Sequence, residues 1–113
     1  MEERLLVHLE SMRHAAQEAT DFVDGLAKED FLEDALTQKA RALNLILIGE
    51  SAKRILERHS EMVQLSGIAW KEIAAMRNRI AHDYYSIDLN TVWDTISNDL
   101  PGLITQIDEL LSQ

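Results

Sequence analysis

The stretch Ile68-Ala69-Trp70-Lys71-Glu72-Ile73-Ala74-Ala75-Met76-Arg77-Asn78-Arg79-Ile80-Ala81-His82-Asp83-Tyr84-Tyr85 decides how this chain folds. Its apolar residues Ile68, Trp70, Ile73, Ala74, Met76 and Ile80 recur at the spacing of a helix buried on one side. That spacing predicts a helix over residues 68–81, closed by the polar turn Ser86-Ile87-Asp88. The end of the segment crowds together a base, a proton shuttle and two phenols. Arg77 is permanently cationic and carries a planar fork of donors suited to phosphate or carboxylate. His82 has the ordinary pKa nearest neutrality and can take and return a proton. At about 100° per residue, Arg77 and His82 project about 140° apart on one helix. They reach one small target only if the helix ends near Ala81 or if a second copy of the chain completes the site. Asn78 lies four residues before His82 and shares its face while the helix lasts. A plainer reading of the same residues is a surface arginine, a histidine closing a helix C-terminus and two packed tyrosines.

Outward from this segment the chain is helical on both sides. Residues 3–26 carry Leu5, Leu9, Met12, Ala16, Ala19, Phe22, Val23 and Leu26 at helical spacing, with Gly25 near the end and Lys28-Glu29-Asp30 as a charged connection. His8 and His14 lack a matching ligand pair and read as surface residues. A second long helix is predicted from Phe31 to about Arg58. Its middle, Leu45-Ile46-Leu47-Ile48, is apolar nearly all round, so more than one neighbour must bury it, a second chain included. Gly49 costs a helix about 1 kcal/mol relative to Ala, and close helix approach is the expected compensation. Glu50 either pairs on the surface with Lys53 or Arg54, or faces the cleft and orients an Arg or His. Residues 59–67 form a connector with a helical turn around Met62 and Leu65. Asp88 is the predicted N-cap of a last helix bearing Leu89, Val92, Trp93 and Ile96. Pro101 has no amide hydrogen and predicts a kink between Ser97 and Pro101, after which Leu103, Ile104, Ile107, Leu110 and Leu111 continue the apolar face. The expected fold is all-α: one domain over residues 1–113, an up-and-down bundle of four main helices with a kinked C-terminal helix.

Composition bounds the function. The chain has 113 residues, 46% of them hydrophobic, enough for one bundle core. It has no cysteine, hence no disulfide and no thiolate metal site. No His, Asp or Glu spacing suggests a metal centre, there is no glycine-rich phosphate loop, and the carboxylates do not pair into an acid site. No cofactor is expected. Met1-Glu2-Glu3 begins no signal peptide, and the longest aliphatic run, Leu45 to Ile48, is far below a membrane span, so the cytoplasm is the expected compartment. The net charge of −9 argues against a general nucleic-acid coat. Between Lys71 and Tyr85, however, three cations face two anions. An RNA ligand would therefore meet a small basic cleft on an otherwise repelling surface, and the acidic surplus equally suits a basic protein partner or solubility.

Arg77-x4-His82-x-Tyr84 resembles the R-x4-H-x-Y motif of the HEPN superfamily, and the string from Trp70 to Tyr84 is similar to its HepT branch. Ile48-Gly49-Glu50-Ser51-Ala52-Lys53-Arg54 before the motif fits the same branch. So does Asp88-Leu89 after it, with Val92-Trp93 and Asn98-Asp99-Leu100-Pro101. The resemblance runs from about Lys39 to about Ile107. It implies a helical homodimer in which the two R-x4-H segments face each other. It also implies a toxin acting as a metal-independent endoribonuclease on RNA, with Arg77 and His82 catalytic; by type and position Asn78 is expected to orient phosphate or His82, and Glu50 is the second supporting residue. The product would be a 2′,3′-cyclic phosphate and a free 5′-hydroxyl. The implied partner is a minimal nucleotidyltransferase antitoxin that moves AMP from ATP to Tyr84, with Tyr85 as the neighbouring hydroxyl. The alternative, of a different class, is a non-catalytic nucleotide- or partner-binding subunit of such a nucleotidyltransferase complex. A plain helical dimerisation module would explain the core and leave the motif cluster without a role.

Overall fold

The computed structural model describes all residues 1–113. Seven helices are present and no strand: α1 (Glu3–Val23), α2 (Lys28–Glu33), α3 (Ala35–Arg58), α4 (Ser60–Leu65), α5 (Trp70–His82), α6 (Leu89–Asp94) and α7 (Leu100–Leu111). Tyr84–Ser86 forms a 3-10 turn, and Thr95–Asp99 is a π-helical segment joining α6 to α7. Four long members, α1, α3, α5 and the α6–α7 pair, make the expected all-α bundle, with α3 packed between α1 and α5. Leu9, Met12, Phe31, Leu45, Ile48, Ile55, Ile96 and Ile107 are buried in one continuous core that includes Trp70. The i, i+3, i+4 spacing that produced the helices also points these residues inward.

Several boundaries differ from the sequence expectation. α1 stops at Val23, not at residue 26, because Gly25 takes φ +78, a left-handed conformation that a helix cannot continue through. The Lys28-Glu29-Asp30 connection is the first turn of α2. The long second helix is two helices. Asp34 leaves helical geometry, and its carboxylate accepts from the Thr37 amide at 3.2 Å and from the Thr37 hydroxyl at 2.6 Å, capping α3. α5 begins two residues late, at Trp70, whose indole donates to Ser66 Oγ at 2.7 Å, and it runs on through His82. The connector holds α4 where a turn was expected, and Asp88 caps α6 by accepting from the Asn90 amide at 2.9 Å.

Pro101 disturbs the last helix where the sequence places it, and the disturbance takes the form of a π turn. Pro101 has no N–H for the Ser97 carbonyl and crowds it. Widening the preceding turn, so that the Leu100 amide bonds to the Thr95 carbonyl, lets the helix pass the ring without ending. His8 is half-buried, not a plain surface residue. Its ring meets His59 edge-on at 6.2 Å, and desolvation lowers its pKa. His14 is exposed, as expected, 3.8 Å from Glu18. Arg41 is buried, its guanidinium 4.4 Å from the ring centroid of Phe22, and desolvation lowers its pKa.

The apolar middle of α3 divides. Leu45 and Ile48 are buried, whereas Leu43 and Leu47 are about half exposed and Leu36 is 80% exposed. These three leucines lie along one outer face of α3, which continues toward Glu50 and Arg54. Phe22 is also exposed, so the helical spacing of the apolar residues overstates what one chain buries.

Candidate functional site

Gly49 fixes how closely α3 and α5 cross. A β-carbon built on it would stand 2.2 Å from Arg77 Cβ and 3.0 Å from the Ile73 carbonyl oxygen. No residue larger than glycine fits without moving α5. The close approach predicted from sequence is therefore real, and its other side is Arg77. The next residue, Glu50, reaches Arg77: Oε2 lies 3.2 Å from Arg77 Nε, and Oε1 lies 3.5 Å from Arg54 Nη2. One carboxylate thus meets both Arg54 on its own helix and Arg77 of the motif. The contact with Arg77 is ionic, and Arg77 Nε has no hydrogen-bond partner. Arg77 Nη1 donates to Asn78 Oδ1 at 3.0 Å. The guanidinium is therefore held from two sides with part of its donor fork still free. Its side chain is 28% exposed, and that of Glu50 is 33% exposed.

His82 is the last residue of α5 and is exposed. The Asp83 amide bonds back to the Arg79 carbonyl at 2.9 Å, so the helix is intact through the histidine. The divergence of about 140° between Arg77 and His82 therefore stands. Arg77 turns toward α3, and His82 turns to solvent on the face that also carries Asn78 and Arg79. The single chain does not bring Arg77 and His82 onto one face. Arg79, which the sequence reading passed over, is exposed and makes no ion pair or side-chain hydrogen bond. Its position three residues before His82 was the available signal.

Tyr84 and Tyr85 open the 3-10 turn after α5, with ring centroids 5.7 Å apart and planes at 81°. Tyr84 packs partly against the core, and Tyr85 is fully exposed. No three His, Asp or Glu side chains converge on a point that could hold a metal ion. No helix is long and apolar enough to cross a membrane.

Over 106 residues the chain is 31% identical to a protein of Caldanaerobacter subterraneus subsp. tengcongensis named "Putative RNase TTE0752", covering 94% of this chain and 93% of that one. It is 32% identical over 103 residues to the "Probable ribonuclease HepT" of Thermococcus cleftensis, covering 91% and 92%. No solved structure matches. The family described as "Ribonuclease HepT-like" matches residues 12–110, a span that takes in the Gly49–Arg77 crossing, Glu50, His82 and both tyrosines. The chain belongs to the HepT-like ribonuclease family.

Proposed function

We propose that this chain is the toxin of a toxin–antitoxin pair, a metal-independent endoribonuclease that works as a homodimer. The observation that carries this reading is the clamped Arg77, held by Glu50 and Asn78 on the helix that ends in the free imidazole of His82. Within one chain the two groups diverge, so the reading uses two copies. The exposed face of α3, with Leu36, Leu43 and Leu47, is where the second copy packs. Two Arg77 and two His82 then converge on one phosphodiester. A His82 takes the proton of the ribose 2′-hydroxyl, and the 2′ oxygen bonds to phosphorus. The bond from phosphorus to the 5′ oxygen breaks, and the other His82 returns a proton to that oxygen. Arg77 stabilises the charge that develops on the phosphoryl oxygens. The products are a 2′,3′-cyclic phosphate and a free 5′-hydroxyl.

The partner in this reading is a nucleotidyltransferase antitoxin. It transfers AMP from ATP to the Tyr84 hydroxyl, with pyrophosphate leaving. A bulky anion there, two residues from His82, blocks an anionic substrate by charge and by volume. Tyr85 is the more accessible phenol and is the control.

The test uses purified wild-type and His82→Ala protein with end-labelled RNA in the presence of a chelator. Cleavage by the wild type alone, leaving cyclic phosphate ends, is expected. No cleavage by wild-type protein shown to be unmodified by intact mass would favour a non-catalytic subunit of a nucleotidyltransferase complex. Incubation with the partner and ATP then adds the mass of AMP to wild type and not to Tyr84→Phe. A gain that persists in Tyr84→Phe moves the acceptor elsewhere.

A further inference from the structure

Between α5 and α6 lies an open cavity of about 290 Å3, lined by neither Arg77 nor His82 but reaching Asp83, the residue after His82. Its floor is apolar, made by Leu45, Ile80 and Val92, and its rim carries Arg79, Asp83 and Asp88. The volume lies at the small end of the roughly 300–1,000 Å3 usual for ligand sites, room for one flat heterocycle and little more. The rim charges are not equivalent. Asp88 is engaged as a helix cap, accepting from the Asn90 amide at 2.9 Å and from Asn90 Nδ2 at 3.2 Å. Asp83 and Arg79 have no side-chain hydrogen bond or ion pair, although they stand four apart in the chain, Arg79 on α5 and Asp83 just past its end, and line the same cavity. One free carboxylate and one free guanidinium thus stand at the mouth of an apolar slot. Asp83 adjoins His82 in the chain. Arg79 projects only about 60° from His82, against about 140° for Arg77.

We propose that this cavity is a nucleobase subsite that seats the unpaired base flanking the cleaved bond and selects bases bearing an exocyclic amine. This rests on the ribonuclease reading above. Single-stranded RNA is read by splaying a base out of its stack and bonding its edge. Here the base slides between Ile80 and Val92, its amine donates to the Asp83 carboxylate, and Arg79 holds the adjoining phosphate. A carboxylate can accept from the amine of cytosine, adenine or guanine. Uracil has no exocyclic amine, and the O2 and O4 acceptors that flank its single N3–H donor are repelled by the carboxylate, so it binds less well there. An acidic protein with one narrow recognition slot is thereby given selectivity that general phosphate attraction cannot supply.

The test is a set of short single-stranded RNAs differing at one nucleotide next to the cut, cleaved by wild type, Asp83→Asn and Thr91→Trp. Thr91 is exposed and lines the cavity, so its replacement fills the slot from the rim without entering the core. Wild type is expected to prefer amine-bearing bases over uracil by roughly fivefold or more in kcat/KM at one flanking position. Asp83→Asn should abolish or reverse that preference, because an amide can donate to uracil. Thr91→Trp should raise KM by about tenfold with kcat little changed. A preference that survives in both variants, or none in wild type, overturns the subsite and leaves the ribonuclease reading standing. Failure of wild type to cut any RNA overturns both.

Discussion

Gly49 and Arg77 touch where α3 crosses α5: a β-carbon on the glycine would lie 2.2 Å from the β-carbon of the arginine. The backbone of the helix that supplies Glu50 and the residue that Glu50 holds are one packing unit. Gly49→Ala must push the two helices apart. The gain of about 1 kcal/mol in helix propensity is outweighed by overpacking that costs about 1–3 kcal/mol and by displacement of Arg77. Chemical denaturation should show lower stability, and RNA cleavage should fall with it. A variant as stable as wild type would mean that the crossing is looser than these distances.

In the proposed enzyme Glu50 positions Arg77 through the 3.2 Å contact between their charged groups. Glu50→Ala should lower the melting temperature only slightly, because an ion pair whose side chains are both about one-third exposed is worth about 1 kcal/mol. Cleavage should drop about 10- to 100-fold, chiefly in kcat, as Arg77 loses its position. Partial rescue in Glu50→Gln, whose amide oxygen can still meet the guanidinium, separates positioning from a general fault in folding. Equal loss of stability and activity would assign Glu50 a structural role only.

The leucine face of α3 tests the two-copy site. Leu47→Glu puts a charge on a half-exposed position, so the isolated fold should keep its helical signal. Sedimentation should show a monomer in place of a dimer, and cleavage should be lost although Arg77 and His82 are untouched. An active monomer would require one chain to present both groups.

Acid should destabilise the fold in two stages. Burial lowers the His8 pKa, so its contribution is complete above the ordinary value near 6.5 and is lost as pH falls through the lowered one. The carboxyls of Glu2, Asp34, Asp88 and Asp108 are lowered chiefly by hydrogen bonds from Arg4, Thr37, Asn90 and Arg13 respectively. Their contributions are complete above about pH 4 and are lost as pH falls through the lowered folded values. Melting temperature should decline slightly below pH 6.5 and further below pH 4. Asp34→Asn, which keeps an N-capping side chain, should flatten the lower limb.

Helix periodicity made most of this architecture readable in advance, because each long helix has one apolar stripe. What it missed were events with no periodic signature. The apolar spacing of Phe31, Leu32, Ala35 and Leu36 runs straight across the break at Asp34, which only the capping pair Asp34 and Thr37 betrays. Pro101 gave the place of the disturbance, while its form, a π turn over Thr95–Asp99, has no periodic signature. Within the site, Gly49 announced close approach, but the identity of its neighbour depends on how two helices cross, which no local pattern encodes. The same holds for Glu50, whose ion pair to Arg77 follows from that crossing, beside the one it makes to Arg54 on its own helix. Arg79 went unnoticed because surface arginines are common. It stands out only once its lack of a partner and its place on the cavity rim are seen.

The exposed leucine stripe of α3 lies on a body of net charge −9, and that pairing sets two opposite responses to ionic strength. Two such bodies repel, so added salt, with a Debye length near 10 Å at 0.1 M, favours their apolar association. The same salt weakens each contact between an arginine and a phosphate. A dimeric enzyme built this way should work fastest at an intermediate salt concentration, limited by self-association below it and by substrate capture above it.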